Sequence, residues 1–171
     1  MTRPDLSAVP PFYRKYVEHV KDLDVLEAMR HSSKLTLDLV RAIPEEKGEF
    51  RYQPEKWSIK ELLCHMMDAE RIFAYRALTF ARNDKTPLPG FEENDYAPEA
   101  NAHSRTVQQI ADEMERLRLT NIDLFSSFTP AMLKRTGTAN KTEVSVLNLG
   151  YILAGHESHH RTVLQERYII R

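Results

Sequence analysis

Residues 56–78 read KWSIKELLCHMMDAERIFAYRAL, and this stretch carries the plainest structural signal in the chain. It opens on a capping box, in which the Ser58 hydroxyl accepts a hydrogen bond from a backbone N–H and the Glu61 carboxylate reaches back to the cap. Trp57 and Leu62 flank the box as a hydrophobic staple, so we assign Trp57 a structural role and no catalytic one. Apolar residues then recur at helical spacing and predict one long helix that ends near residue 81. These residues are Ile59, Leu62, Met66, Phe73, Ala77 and Phe80.

The same spacing predicts a short helix and three further long helices, over about residues 11–20, 23–42, 106–127 and 145–168. The dipeptide Ile43-Pro44 ends the first of the long helices, because the residue before a proline avoids the helical region. Thr106 and Gln109 form a second, weaker capping box. Four long helices are therefore expected in all.

Few glycines, long periodic segments and no alternation of valine and isoleucine predict an all-α fold. More than twenty residues, 82–104, join the second and third long helices, and so long a connection is typical of a functional loop or a crossover. We predict one four-helix bundle domain over residues 1–171, with a long crossover between its second and third helices, which then run parallel. Phe91 and Tyr96 are expected to pin the crossover to the bundle, and residues 136–144 to hold a short extended turn.

The composition is that of an ordinary globular protein: 42% of the 171 residues are hydrophobic and 29% are charged. The 24 Lys and Arg residues balance 25 Asp and Glu, and this net charge of -1 argues against a nucleic-acid binder. The single cysteine, Cys64, excludes an internal disulfide, fits a reducing compartment and is interpreted as a small buried side chain. Since no apolar run matches a signal peptide or a membrane span, we expect a cytoplasmic protein without a membrane partner.

Two of the seven histidines, His156 and His160, lie one turn apart in the last predicted helix. At 100° per residue they are separated by about 40° and share the apolar face. Burying two imidazoles costs free energy unless their nitrogens find partners, and one metal ion satisfies both. Two hydrogen-bonded core histidines are the alternative interpretation.

His65, at the margin of the apolar face of helix 59–81, is the candidate third ligand. Three neutral imidazoles leave open positions on a metal ion, as in catalytic sites. Zinc, nickel, iron and manganese all accept such ligands, so the residues alone do not choose the metal. His159 is expected at the rim of the site, and three others at the surface or at helix ends: His19, His31 and His103.

Charged residues near these histidines allow two interpretations each. Glu70 falls in the apolar stripe of its helix, where a carboxylate is unusual, so it serves the site or pairs with a buried arginine such as Arg167. Glu157 either supports a ligand or lies at the surface. The charges of the third long helix, Arg118 among them, are assigned to a solvated face with close ion pairs.

The pattern His156-Glu157-x-x-His160 also matches the HExxH motif of zinc proteases. We discount this match because only 11 residues follow His160, so a downstream third ligand is not expected. No predicted sheet precedes the motif to bind an extended peptide.

The run at 56–78, with PLPGFEENDYA at 87–97 and GHESHHRTVLQERY at 155–168, closely resembles the DinB/YfiT-like superfamily. These damage-inducible metalloproteins are unrelated to the DNA polymerase of the same name. The resemblance implies a four-helix bundle with a long crossover and a metal bound by three histidines, at positions that match His65, His156 and His160. It also implies a homodimer and a small-molecule substrate.

The better-understood members of that family are thiol-dependent transferases or isomerases, and others are labelled metal-dependent hydrolases. We therefore expect a metal-dependent S-transferase that delivers a low-molecular-weight thiol of the bacillithiol, mycothiol or glutathione type to an electrophile. Zinc or nickel is the expected metal, ahead of iron or manganese. Arg76 and Arg161 are the candidate cofactor-binding residues, unless they form surface ion pairs.

Two other functions stay open at this point. One is a hydrolase in which the metal activates water and Glu70 acts as the catalytic base. The other is a non-enzymatic stress-response binding protein whose metal is structural or absent. Family resemblance cannot choose among these activities.

Overall fold

The computed structural model describes residues 3–169, so the two residues at each end of the expected domain 1–171 lie outside the described part. The helices are α1 (Pro11–Val17), α2 (Val25–Val40), α3 (Ile59–Ala81), α4 (Glu93–Glu99), α5 (Val107–Ser126), α6 (Pro130–Leu133) and α7 (Val146–Val163). Two strands, β1 (Thr136–Ala139) and β2 (Thr142–Ser145), form a hairpin, and α7 continues into a π-helical segment, Leu164–Ile169. The predicted all-α class and the four long helices are confirmed. Across residues 3–169, no helix has both the length and the apolar character needed to cross a membrane.

Both predicted capping boxes are present. The backbone N–H of Glu61 donates to the Ser58 hydroxyl at 3.2 Å, and the N–H of Ser58 donates to the Glu61 carboxylate at 2.7 Å. Thr106 and Gln109 make the same reciprocal pair at the start of α5. These caps satisfy backbone donors that a helix otherwise leaves free, which explains why both helices begin where the sequence predicts.

The bundle consists of α2, α3, α5 and α7, with α5 and α7 each packed against both α2 and α3. Two apolar clusters fill it. The first joins the N-terminal parts of α2 and α7 to the C-terminal parts of α3 and α5, and the second joins the opposite parts. The helices α3 and α5 therefore run parallel, as the length of the crossover predicts.

The crossover is attached to the hairpin by backbone hydrogen bonds. The N–H of Leu88 donates to the Thr138 carbonyl at 2.9 Å, and the N–H of Asn140 donates to the Leu88 carbonyl at 3.0 Å. A side chain at Gly90 would collide with the Asn140 amide, so glycine permits this close approach. The hairpin also confirms the extended turn predicted at 136–144.

Of the two aromatic residues expected to pin the crossover, only one does so. Phe91 packs against the first apolar cluster. The prediction for Tyr96 is wrong, because its side chain is 48% exposed. Tyr96 lies on α4, which buries the neighbouring Ala97 and leaves Tyr96 on the outer face.

A buried polar layer separates the two apolar clusters, and Arg118 of α5 lies at its centre with 2% of its surface exposed. Its Nε and Nη2 donate to the two carboxylate oxygens of Glu70 at 2.9 and 3.0 Å, and its Nη1 donates to Glu157 at 2.7 Å. Nη1 also donates to the Met29 carbonyl and to the Ser32 hydroxyl. One guanidinium therefore binds groups from α2, α3 and α7.

The assignment of Arg118 to a solvated face is wrong. Met114 lies four residues before Arg118 and Ile122 lies four residues after it. The three therefore share one face of α5, which is the buried one. The surface interpretation of Glu157 is also wrong, since this carboxylate is buried against Arg118. Glu70 does pair with a buried arginine, but the partner is Arg118 and not Arg167.

Burial raises the pKa of the Glu157 carboxyl, and the guanidinium of Arg118 opposes that shift. We predict that Arg118→Ala lowers the free energy of unfolding by about 3–5 kcal/mol, because it leaves two carboxylates buried without a counter-charge. Urea denaturation measures this loss. The control is Arg116→Ala, an exposed arginine on the same helix, which should change stability by less than about 0.5 kcal/mol. Equal stabilities of the two variants would contradict the proposed role of Arg118.

Candidate metal centre

Three histidines from two helices converge in the buried interior. The Nε2 atom of His156 lies 3.3 Å from Nε2 of His65 and 3.1 Å from Nε2 of His160. The three nitrogen ligand atoms all lie within 4.8 Å of one another. Burial lowers the pKa of His65 to about 4 and holds the pKa values of His156 and His160 well below their usual range. All three imidazoles are therefore neutral at pH 7, and each can offer a lone pair.

The arrangement fits one metal ion better than it fits hydrogen bonds. A neutral imidazole nitrogen carries either one proton or one lone pair, so Nε2 of His156 cannot satisfy both neighbouring nitrogens. Three nitrogens at about 2.0–2.1 Å from a tetrahedral zinc ion would lie about 3.3 Å apart. The observed separations of 3.1 and 3.3 Å are close to that value. These three residues therefore have the donor set and spacing of a metal site.

The buried polar layer fixes the helices that carry these ligands. Glu157 directly follows His156 on α7, and Glu70 lies five residues beyond His65 on α3. Because both carboxylates bind the same guanidinium, the register between α3 and α7 is set close to the histidines. Gly155 allows α1 to approach α7, since a side chain there would collide with the backbone of Tyr16.

A cavity of about 180 Å³ opens beside the three imidazoles. Besides the imidazoles, six aromatic side chains line it: Phe12, Tyr13, Tyr16, Trp57, Phe73 and Phe91. Its other polar side chains are Arg76, Glu93 and Asn140. A cavity that combines aromatic side chains with a few convergent polar groups is typical of a small-molecule site.

The sequence-predicted residues divide between those that reach this cavity and those that do not. Arg76 lines it, together with the three histidines, whereas Arg161 does not. Glu70 is also absent from the wall, because it lies about 140° around the helix from His65 and both of its oxygens bind Arg118. The expectation that Glu70 is a catalytic base is therefore corrected. His159 contacts the ring of Tyr16 outside the cavity wall.

Cys64 is buried as expected, and burial raises its thiol pKa to about 11. A thiol with so high a pKa is a poor nucleophile at neutral pH.

Two other residues line the cavity although the sequence interpretation did not place them there. Trp57 packs on His65 with ring centroids 4.7 Å apart and lines the cavity, besides flanking the capping box. Glu93 lies in the crossover and also lines the cavity. Its position depends on how the crossover folds, so no local sequence pattern indicated it.

Comparisons with known proteins agree with this architecture. The family model of the DinB superfamily matches residues 28–164, which is most of the chain. A protein of Oceanobacillus iheyensis named "Putative metal-dependent hydrolase OB0413" is 27% identical over 132 residues, 72% of this chain and 71% of its own.

Two solved structures share the fold at low sequence identity. YfiT from Bacillus subtilis, described as a probable metal-dependent hydrolase with an unusual four-helix bundle topology, has a TM-score of 0.68 at 15% identity. The alignment covers 96% of this chain and 90% of YfiT. A mycothiol-dependent maleylpyruvate isomerase also has a TM-score of 0.68, at 12% identity, covering 95% of this chain and 62% of the isomerase.

The three-histidine site makes a prediction about metal content. Untagged protein should contain one divalent metal ion per chain, and His65→Ala, His156→Ala or His160→Ala should each lose it, because two imidazoles bind a metal far more weakly than three. Elemental analysis of the purified proteins checks this. His159→Ala is the matched control on α7 and should retain the metal. Unchanged metal content in the three ligand variants would overturn the site.

Proposed function

The chain belongs to the DinB superfamily, and from that premise we propose that it is a metal-dependent enzyme acting on a small molecule in the three-histidine cavity. The observation that carries this proposal is the convergence of three neutral imidazoles, two buried and one half-buried, on one wall of a cavity lined by aromatic side chains. A site that only stabilised the fold would have its ligands closed off from such a cavity.

The proposed metal is zinc or nickel, and iron or manganese would fit the same imidazoles. Bound there, a divalent ion would supply Lewis acidity, which would lower the pKa of a thiol or a water. His65, His156 and His160 would hold the ion. The surrounding aromatic side chains would exclude bulk water from the reacting groups.

The carboxylate suited to proton transfer is Glu93 of α4. It is half-buried in the cavity wall, and its side chain makes neither an ion pair nor a hydrogen bond with the residues between 3 and 169. Burial and, secondarily, the charge of Glu93 raise the pKa of the Tyr16 hydroxyl, which lines the same cavity. Because its oxygens are free, Glu93 can accept the proton that a nucleophile releases.

A second cavity favours a reaction between two molecules. It has a volume of about 240 Å³ and shares Trp57 and His160 with the first. Its wall includes Tyr52, Lys56 and Asn94. A transferase needs room for a carrier and an acceptor on either side of the reacting atoms, whereas a hydrolase needs room for one substrate and water.

We therefore propose S-transfer, and not hydrolysis, as the main reaction. The thiol is of low molecular weight and of the bacillithiol, mycothiol or glutathione type. The thiol proton passes to Glu93, sulfur forms a bond to the electrophilic carbon, and the leaving group departs with its electron pair. The mycothiol dependence of one structural neighbour supports this order. The hydrolase names of the other two relatives support the alternative.

The remaining elements of the proposal rest on the family resemblance and the composition. We propose a homodimer that works in the cytoplasm and has no nucleic-acid partner, the last because the net charge is -1. Native mass spectrometry measures the oligomeric state. A non-enzymatic stress-response role is the contrasting hypothesis.

The proposed reaction class can be tested with metal-loaded protein. Incubation with each thiol and an electrophile such as a haloalkane should consume thiol and release halide, and His156→Ala should not. Ester and amide substrates should react more slowly. Hydrolysis without thiol consumption would replace the transferase by the hydrolase, and inactivity in both assays would favour the non-enzymatic role.

The role of Glu93 has its own test. Glu93→Gln should lower kcat by about 10²-fold or more, because the amide cannot accept a proton, while metal content stays unchanged. Glu99→Gln, an exposed residue on the same helix, is the matched control and should keep full activity. Equal kcat values for the two variants would exclude Glu93 as the proton acceptor.

A further inference from the structure

Arg76 is a buried cation in the cavity wall with little to neutralise it. Only 3% of the residue is exposed. Its guanidinium donates one hydrogen bond, to the Pro89 carbonyl at 2.9 Å, and forms no ion pair with any residue from 3 to 169. A guanidinium has five N–H donors, so most of its donors are not used within the described chain. Burying a charge without a counter-charge is costly, and the cost falls when an anion binds.

The other fully buried guanidinium shows what a completed site looks like in this protein. Arg118 has a two-pronged carboxylate partner, a second carboxylate and two further acceptors. Arg76 lacks these partners although it is nearly as buried. Glu93 lines the same cavity but does not pair with Arg76. The difference is that Arg76 borders open space, where a ligand can supply the anion.

Arg76 and His65 lie on one face of α3, because eleven positions along a helix return to within about 20° of the starting direction. The Phe73 ring lies between the cation and the histidines, with its centre 5.8 Å from that of the His156 ring. Ala69 and Phe73 lie between them and also line the cavity. The guanidinium carbon is 5.9 Å from the centre of the Phe73 ring. A small residue and a ring therefore form an apolar floor between the histidines and the cation.

We infer that Arg76 binds a carboxylate at the end of the cavity remote from the histidines. The ligand, whether the thiol carrier or the acceptor, is then an organic acid whose apolar part lies against Phe73 and whose reacting group faces the histidines. The identity of the reacting end rests on the proposed function, whereas carboxylate binding by Arg76 does not. A planar guanidinium matches a carboxylate through two parallel hydrogen bonds, which a lysine cannot provide.

The single tryptophan of the chain makes this binding measurable without turnover. Trp57 lies in the cavity wall, so its fluorescence reports occupancy of the site. The probe is phenylbutyrate, and its neutral counterpart is phenylbutyramide. Titrations with the metal-loaded protein and with the metal-free protein separate binding at Arg76 from binding at the metal.

We predict that phenylbutyrate binds at least about tenfold more tightly than the amide in both forms of the protein. Arg76→Gln should remove this preference. If the glutamine variant does not fold, Arg76→Lys takes its place and should retain only part of the preference. Arg82→Gln, an exposed arginine just after α3, is the control and should keep the preference. Circular dichroism verifies that each variant is folded.

Equal affinities for the acid and the amide would overturn the inference, as would no change of Trp57 fluorescence with either probe. A preference that survives in Arg76→Gln would show that another group binds the carboxylate and would overturn the inference. A preference that appears only in the metal-loaded protein would assign the carboxylate to the metal instead. Because no turnover is needed, a result in favour of Arg76 stands even if the thiol and hydrolysis assays fail.

Discussion

The rest of the structure depends on the burial of one guanidinium between two carboxylates. Arg118 is held in the interior by Glu70 and Glu157, and neither partner could be left alone there without a large free-energy cost. These carboxylates lie on the two helices that carry the histidines. The ion cluster that holds the helices of the bundle together therefore also fixes the positions of the histidines.

A buried ion cluster is not the most stable core for a bundle of this size. Apolar residues of similar volume often stabilise a fold more than a buried ion pair does, so retaining the polar layer has to be explained by what it positions. Here it divides the core into two apolar clusters and sets α3 against α7 at the level of the imidazoles. Arg76 has no such partner among residues 3–169, and this contrast distinguishes a structural cation from one available to a ligand.

Local patterns predict most of the fold. The capping boxes at Ser58 and Thr106 fixed the starts of two helices, because a cap and its partner are three residues apart. Helical spacing placed His156 and His160 on one apolar face, and His65 was a candidate from the margin of the stripe on its own helix. The family resemblance matched all three positions. The burial of Arg118 was not predictable in this way. Acidic residues lie close to it in the sequence, so an ion pair at the surface was as consistent with the pattern as burial was. Glu93 could not be placed either, because its position depends on how the crossover packs against α3 and the hairpin.

In the proposed site three imidazoles, and no other protein group, hold one divalent metal ion. X-ray absorption spectroscopy at the metal edge of the loaded, untagged protein tests it most directly. We predict three imidazole nitrogens, at about 2.0–2.1 Å if the metal is zinc, with the remaining positions filled by non-protein ligands. In protein prepared without thiols, a sulfur shell at about 2.3 Å, which would indicate Cys64, or a shell without imidazole scattering would contradict the three-histidine site.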